Sequence, residues 1–80
     1  MKTRILNLEG ALYDGEAKLV NVKTLSGEIT ILDHHRPIIS ALAQNAHIYL
    51  DDIEGKRHDF NVKGGFLNLD VKNELTVLVD

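Results

Sequence analysis

The sequence contains no cysteine among its 80 residues. Disulfide-stabilised scaffolds, thiolate zinc sites and cysteine nucleophiles are therefore excluded, and a reducing compartment is permitted. No apolar run approaches the roughly 20 residues of a membrane-spanning helix, and the start Met1–Arg4 does not lead into the long apolar core of a signal peptide. These absences indicate a cytosolic chain by default.

Basic residues are few and scattered along the chain. The longest run of lysine and arginine is the pair Lys56-Arg57, and the formal net charge is −3. Because nucleic-acid binding requires clustered cations that displace counterions, no nucleic-acid partner is expected. There is also no internal repeat or low-complexity tract. A chain this short has room for one core, so residues 1–80 are predicted to form a single domain.

The sequence is rich in short β-type runs separated by turn residues. Glu28–Ile31 and Leu75–Val79 alternate apolar and polar residues, as antiparallel strands with one solvated face do. The fold class predicted is therefore all-β, and the expected strands are Thr3–Leu8, Ala11–Tyr13, Ala17–Lys23, Glu28–Leu32, Ile38–Leu42, Ala46–Asp51, Lys56–Lys63, Phe66–Asp70 and Glu74–Val79. The segment Pro37–Asn45 could instead form a short helix with proline at its first position, but we assign it to a strand.

One hairpin register can be derived from the residues. A three-residue loop, Ile53–Gly55, would join two strands, with Gly55 in the left-handed conformation that such loops favour. A slip of one residue would mix the apolar and polar faces, so the pattern selects this register. The polar face then carries His47, Tyr49, Arg57, Asp59 and Asn61. Together with the other alternating strands, the apolar face predicts a core of Ile29, Ile31, Ile48, Leu50, Phe60, Val62, Val77 and Val79.

No catalytic or metal site is expected. Asp33–Arg36 is the densest polar group, but adjacent residues of an extended loop point in different directions and rarely converge on one ion. His47 and His58 fall on opposite faces of the predicted hairpin. The serines lack the nucleophile elbow and oxyanion-hole glycines of a hydrolase. Gly64-Gly65 predicts a bulge or a close strand crossing rather than a phosphate-binding loop, because no helix follows it.

Four segments, in this order and spacing, resemble one known family. They are Glu9–Glu16, Ser26–Leu32, His35–Leu42, and Gly64–Leu67 with the ending Leu75–Asp80. Together they resemble the N-terminal β-sandwich domain of the epsilon subunit of rotary F-type ATP synthases, the subunit called delta in mitochondria. The resemblance covers essentially the whole chain. It implies a flattened sandwich of two antiparallel sheets with about ten short strands.

The resemblance also implies a function and partners. It implies a non-catalytic central-stalk subunit that binds the gamma subunit and the c-subunit ring, so that proton-driven rotation reaches the catalytic head. Such a subunit would be monomeric outside the complex and peripheral on the cytoplasmic face of the energy-coupling membrane, which it would touch only through the complex. The alternative is a free-standing β-sandwich that binds a small ligand or a metal through Asp33–Arg36.

Candidate contact residues follow from the same resemblance. Family loops that face the ring match Leu25–Glu28, and the loop Asp33–Pro37 is expected at or near the same contact region. A polar or basic loop of the c subunit is the expected partner of the Glu28 carboxylate. The residues implied to contact the c ring or gamma are Ser26, Gly27, Glu28, His35, Arg36, Pro37 and Ile39.

The chain departs from the family pattern at three places. The usual Pro-Gly-His-Ala-Pro loop reads Asp33-His34-His35-Arg36-Pro37. The usual Lys-Pro-Gly turn reads Ala43-Gln44-Asn45, a mild change because asparagine tolerates the left-handed conformation. Family members commonly continue into a helical hairpin that can inhibit ATP hydrolysis. This chain ends at Asp80, and its start at Met1 favours a naturally short subunit, so inhibition and ATP binding are not expected of it.

Overall fold

A computed structural model describes residues 1–80, and all of its regular structure is strand. No helix forms, because no segment repeats its apolar residues at the 3.6-residue period that a packed helix needs. The segment after Pro37 is a strand, as predicted. The eight strands are β1 (Lys2–Asn7), β2 (Gly10–Thr24), β3 (Gly27–Leu32), β4 (Ile38–Ala41), β5 (Ala46–Asp52), β6 (Arg57–Val62), β7 (Gly65–Leu69) and β8 (Glu74–Val79).

The strands form two sheets that share the long strand β2. The first half of β2 pairs with β1 in sheet A, whose order is β4-β7-β8-β1-β2. The second half pairs with β3 and β5 in sheet B, which β6 completes. All pairs are antiparallel except β1 with β8, which is parallel. This is the β-sandwich class that the sequence predicted, with one parallel pair that it did not.

The core lies between the inward faces of the two sheets. It is a cluster of 16 buried apolar residues, and Ile5, Val20, Ile31, Ile48 and Leu50 are completely inaccessible to solvent. Six of the eight predicted core residues are buried, whereas Ile29 and Phe60 are only partly buried and pack against the cluster. Alternation therefore identified the inward faces correctly and overestimated burial on the outermost strands.

The predicted hairpin register is confirmed. Ile48 is the cross-strand partner of Phe60, and His47 is the partner of Asn61. The main-chain N–H of Asp52 donates to Lys56 O at 2.9 Å, which closes the loop of residues 53–55, and Gly55 has a φ of 88°. The left-handed position thus falls on the glycine that the turn chemistry indicated.

The expected break between the strands Ala11–Tyr13 and Ala17–Lys23, at the turn-forming pair Asp14-Gly15, is wrong. Both residues lie within β2 and pair with Arg4 and Thr3 of β1. The ring of Tyr13 lies over Gly15, where an added Cβ would meet its hydroxyl at 3.2 Å. Pairing with β1 therefore overrides the local turn preference of Asp-Gly. As a result the nine strands expected from the residue pattern become eight.

Candidate protein-contact surfaces

The turn that joins β2 to β3 is held by one threonine side chain. Thr24 Oγ1 accepts the N–H of Ser26 at 3.1 Å and donates to Gly27 O at 2.8 Å. The N–H of Leu25 donates to Ala41 O at 3.1 Å, which ties the turn to strand β4 of sheet A. Because Thr24 is only 5% exposed, it fixes the turn from inside while Leu25, 72% exposed, projects into solvent.

Glu28 follows this turn with its side chain exposed. Its cross-strand partner is Lys23, but no cation lies within ion-pair distance of its carboxylate. A carboxylate in this position keeps its hydrogen-bonding capacity for a partner. The structure thus places Ser26, Gly27 and Glu28 together at one end of the sandwich.

The loop Asp33–Pro37 is clamped by a side chain 40 residues away. Asn73 Nδ2 donates to Asp33 Oδ1 at 2.6 Å, and Asn73 Oδ1 accepts the N–H of His34 at 2.8 Å. The α-ammonium of Met1 lies 2.8 Å from the same Asp33 oxygen. The hydrogen bond from this ammonium and that from Asn73 lower the pKa of Asp33, so the carboxylate is ionised at neutral pH and its part of the clamp weakens only in acid.

This clamp explains how the chain tolerates its unusual loop sequence. His34 has a φ of 62°, the left-handed conformation that glycine adopts most readily. Histidine is one of the residues that visit this region, at a modest cost in strain. Asn45, at the other departure, has a φ of 54°. Asp33 and Asn73 thus hold the backbone of the loop in a shape that its residues do not favour by themselves.

The two candidate loops lie at opposite ends of strand β3 and are not side by side. Leu25–Glu28 precedes or begins β3, whereas Asp33–Pro37 follows its last residue. Six extended residues span about 17 Å, so the loops lie at opposite ends of the sandwich. Ser26, Gly27 and Glu28 therefore form one group, and His35, Arg36, Pro37 and Ile39 form another.

An apolar row crosses the outer face of sheet A. Phe66 is paired with Leu78, and Leu78 is paired with Leu6 in β1. This apolar row consists of Ala41, Phe66, Leu78, Leu6 and Ala11, each paired with the next. Phe66 is 62% exposed and Leu78 52%. Such a cluster on a solvated sheet face is typical of an interaction surface.

Ile39 extends this surface toward the loop Asp33–Pro37. It is 79% exposed, lies on the same outer face, and is paired with Asn68. Val71, also exposed, lines with it a shallow groove of about 450 Å³ between β4 and the end of β7. The apolar row together with Ile39 is called the apolar flank of sheet A below. Beside it lies a polar row that consists of Asn68, Thr76 and Arg4.

The outer face of sheet B differs sharply. Arg57 lies 4.1 Å from the centre of the Tyr49 ring and donates two hydrogen bonds to Asp51, at 2.8 and 3.1 Å. The Arg57 hydrogen bond and charge lower the pKa of Asp51. His47 Nε2 is hydrogen-bonded to Asp59 Oδ1 at 2.9 Å. These polar groups satisfy one another, so the centre of this face is polar, and Leu32 is a large apolar residue exposed at its side.

The residues proposed for chemistry or metal binding do not converge. No group of three or more His, Cys, Asp or Glu side chains is placed to hold an ion. Ser40 Oγ donates to Ala41 O at 3.3 Å rather than to a histidine. His47 and His58 lie on opposite faces of the hairpin, as predicted. The structure also contains no helix that is long and apolar enough to cross a membrane.

A gamma-binding subunit is expected to have one sandwich face more apolar than a monomer needs, but sequence reasoning did not name the residues of the apolar row, although one signal was present. In Leu75–Val79 the alternation that buries Leu75, Val77 and Val79 places Leu78 on the wet face. Phe66 occupies the equivalent position before Leu67 in β7. A large apolar residue out of phase with its strand is a detectable sign of a second buried face. Which strands bring such residues together depends on the pairing order, which the sequence does not state.

A family model and several curated proteins match this chain. The family model described as the β-sandwich domain of the ATP synthase delta/epsilon chain matches residues 1–80. The ATP synthase epsilon chain of Corynebacterium aurimucosum is 34% identical over 76 residues, which are 95% of this chain and 62% of that one. The chain spans about three fifths of the length of the curated relatives it matches.

Solved structures show the same fold at low identity. A chain in the mitochondrial ATP synthase of Euglena gracilis, determined with its F1 and c-ring, superimposes with a TM-score of 0.89 and 16% identity. A chain in the central stalk and c-ring structure of the Tetrahymena thermophila mitochondrial enzyme gives 0.81 and 14%. Each superposition covers 99% of this chain, and 49% and 62% of those chains, respectively.

Proposed function

Because this chain belongs to the family of ATP synthase delta/epsilon-chain β-sandwich domains, we propose that it is a central-stalk subunit that joins the gamma subunit to the c ring. In this role it would transmit rotation between proton translocation and the catalytic head. It would be non-catalytic and peripheral, on the cytoplasmic face of the energy-coupling membrane, and monomeric outside the complex. The all-strand structure offers no helix with which residues 1–80 would block ATP hydrolysis.

One observation carries the proposal: an apolar flank and an exposed acidic turn meet on one domain. The apolar row reaches Ala41, whose carbonyl oxygen accepts the N–H of Leu25 in the β2–β3 turn. Gamma would cover the apolar flank of sheet A, because a stable interface needs a desolvated centre with a polar rim. The ring would contact the turn of residues 25–28 at the adjoining end, with Glu28 as the charged partner. A subunit that bridges two partners needs two different surfaces, and here the two surfaces adjoin each other on one domain.

The gamma-binding face can be tested with an exposure-matched pair of variants. Phe66→Glu is expected to weaken binding of purified gamma roughly 30-fold, since loss of a central aromatic anchor commonly costs about 2 kcal/mol or more. Ile53→Glu is the control, because Ile53 is also 62% exposed but lies in the β5–β6 loop of sheet B. Calorimetry with the matching gamma subunit measures both. Absence of wild-type binding at micromolar concentration, or equal effects of the two variants, would contradict the assignment.

The ring-facing turn is tested separately with Glu28→Lys. We expect lower ATP-driven proton pumping in ring-containing vesicles, with unchanged affinity for isolated gamma. The free energy of unfolding should change by no more than about 0.5 kcal/mol, because exposed strand charges contribute little. The swap Lys23→Glu with Glu28→Lys keeps opposite charges on this strand pair but displaces the carboxylate. If the swapped protein pumps like the wild type, a specific role for the Glu28 carboxylate is excluded.

A further inference from the structure

A polar cavity lies beside the apolar flank at the end opposite the β2–β3 turn. It has a volume of about 300 Å³ and lies between residues 34–37 and the β7–β8 turn, Asp70–Asn73. Its walls are fixed by the Asn73 clamp described above. A second hydrogen bond joins His35 Nδ1 to Arg36 O at 2.6 Å. Because a carbonyl oxygen only accepts, Nδ1 carries the proton in this hydrogen bond, which fixes the ring beside the cavity.

The carboxylates in the cavity wall and next to it are already hydrogen-bonded, whereas Arg36, the lining cation, is unpaired. Asp33 is held by Asn73 and the α-ammonium of Met1. Asp70 Oδ1 accepts the N–H groups of Lys72 and Glu74 at 2.8 and 3.1 Å. Arg36, which lines the cavity, and Lys72, which lies in the adjoining turn, are exposed and form no ion pair within the chain. Unpaired cations beside occupied carboxylates favour an anionic ligand group.

The cavity is continuous with the groove at Ile39. Pro37, Asp70 and Val71 line both depressions. One partner segment could therefore place an apolar side chain against Ile39 and a charged one beside Arg36. The planar guanidinium of arginine binds a carboxylate through two parallel hydrogen bonds, which gives direction as well as attraction.

We propose that this cavity receives a carboxylate side chain of the gamma subunit, and that Arg36 is its principal partner. The proposal rests on the proposed function, because the cavity adjoins the flank assigned to gamma. It identifies the chemistry of the partner at this end: an aspartate or glutamate next to an apolar residue. Arg36 would act at the rim of the interface, where charge pairs determine register and association rate more than total affinity.

The test is the binding of purified gamma to charge variants of the whole chain. Arg36→Glu is expected to bind roughly tenfold more weakly than the wild type, because it replaces one favourable pair by a repulsive one. Its association rate should fall, and its affinity should depend less steeply on salt concentration. Arg36→Lys, which keeps the charge but loses the two-pronged geometry, should lie between them. Lys56→Glu, the same charge change on the β5–β6 loop of sheet B, is the control.

The outcomes separate this inference from the function on which it rests. If wild-type protein binds gamma and Arg36→Glu binds with the same affinity and salt dependence, the carboxylate contact is absent while the gamma assignment stands. If Lys56→Glu weakens binding as much as Arg36→Glu, net charge rather than this cavity is responsible. If wild-type protein does not bind gamma at all, the proposed function itself fails. Unchanged melting temperatures of the variants show that each comparison concerns folded protein.

Discussion

Replacing Gly65 by alanine is expected to destabilise the domain by about 4 kcal/mol or more. Gly65 begins β7 with a φ of 149°, a conformation that residues with a side chain rarely adopt. A Cβ atom there would lie 1.9 Å from Leu78 O and 3.0 Å from Val79 Cα. Because both contacts are with the backbone of the paired strand β8, no side-chain movement can relieve them. The stability of a domain this size is only about 4–12 kcal/mol, so the variant should lose about a third of it or more.

The neighbouring glycine provides the matched control. At Gly64 an added Cβ would meet only Asp80 Oδ2, at 3.7 Å, which is ordinary van der Waals distance. Gly64→Ala should therefore change the free energy of unfolding by less than about 1 kcal/mol. Urea denaturation followed by circular dichroism measures both variants. Similar midpoints for Gly64→Ala and Gly65→Ala would show that the strands do not approach as closely as described.

The sequence predicted that the backbone makes a bulge or a close crossing at Gly64-Gly65, but it did not predict which atoms come close together. A glycine pair between two β-type runs indicates a bulge or a close crossing, and the structure confirms that interpretation. The sequence did not show which glycine makes the approach or that β8 is the strand involved. That information lies in the register between β7 and β8, which is set by the whole sheet.

Local patterns predicted the hairpin well and the long strand poorly. The β5–β6 register follows from alternation and from Gly55, both of which lie within the hairpin itself. The error at Asp14-Gly15 arose because the competing interaction, pairing with β1, comes from outside the segment. The same limit explains the overestimated burial of Phe60. Alternation gives the direction of a side chain but not whether its strand is central or at the edge.

The family resemblance predicted part of the candidate site, whereas the spacing of apolar and polar residues predicted almost none of it. The resemblance named two loops, but their separation along β3 becomes clear only when the strand is seen to run uninterrupted between them. The clamp between Asp33 and Asn73 joins residues 40 positions apart. The apolar row depends on β1 lying parallel to β8, a pairing between the two ends of the chain. Non-local pairings of this kind are not specified by residue spacing.

Truncating Ile48 to alanine is expected to cost about 3–4 kcal/mol, more than truncating the larger Phe60. Ile48 is completely buried between Val22 of β2 and Phe60 of β6, and strands on both sides limit how far the cavity can collapse. Phe60 lies on the outermost strand of sheet B and is only partly buried. Its loss should therefore cost closer to about 2 kcal/mol, below the roughly 3–5 kcal/mol of a fully buried phenylalanine.

The comparison needs a variant that preserves the strand and leaves the core intact. Asn61→Ala alters the exposed face of β6 and should change the free energy of unfolding by less than about 0.5 kcal/mol. Thermal and urea denaturation of the three variants give the order directly. If Phe60→Ala proves the more destabilising of the two core truncations, β6 must be covered in solution more completely than the isolated sandwich shows. Equal stability of Ile48→Ala and the wild type would instead contradict the β2–β5 pairing that places Val22 beside Ile48 in the core.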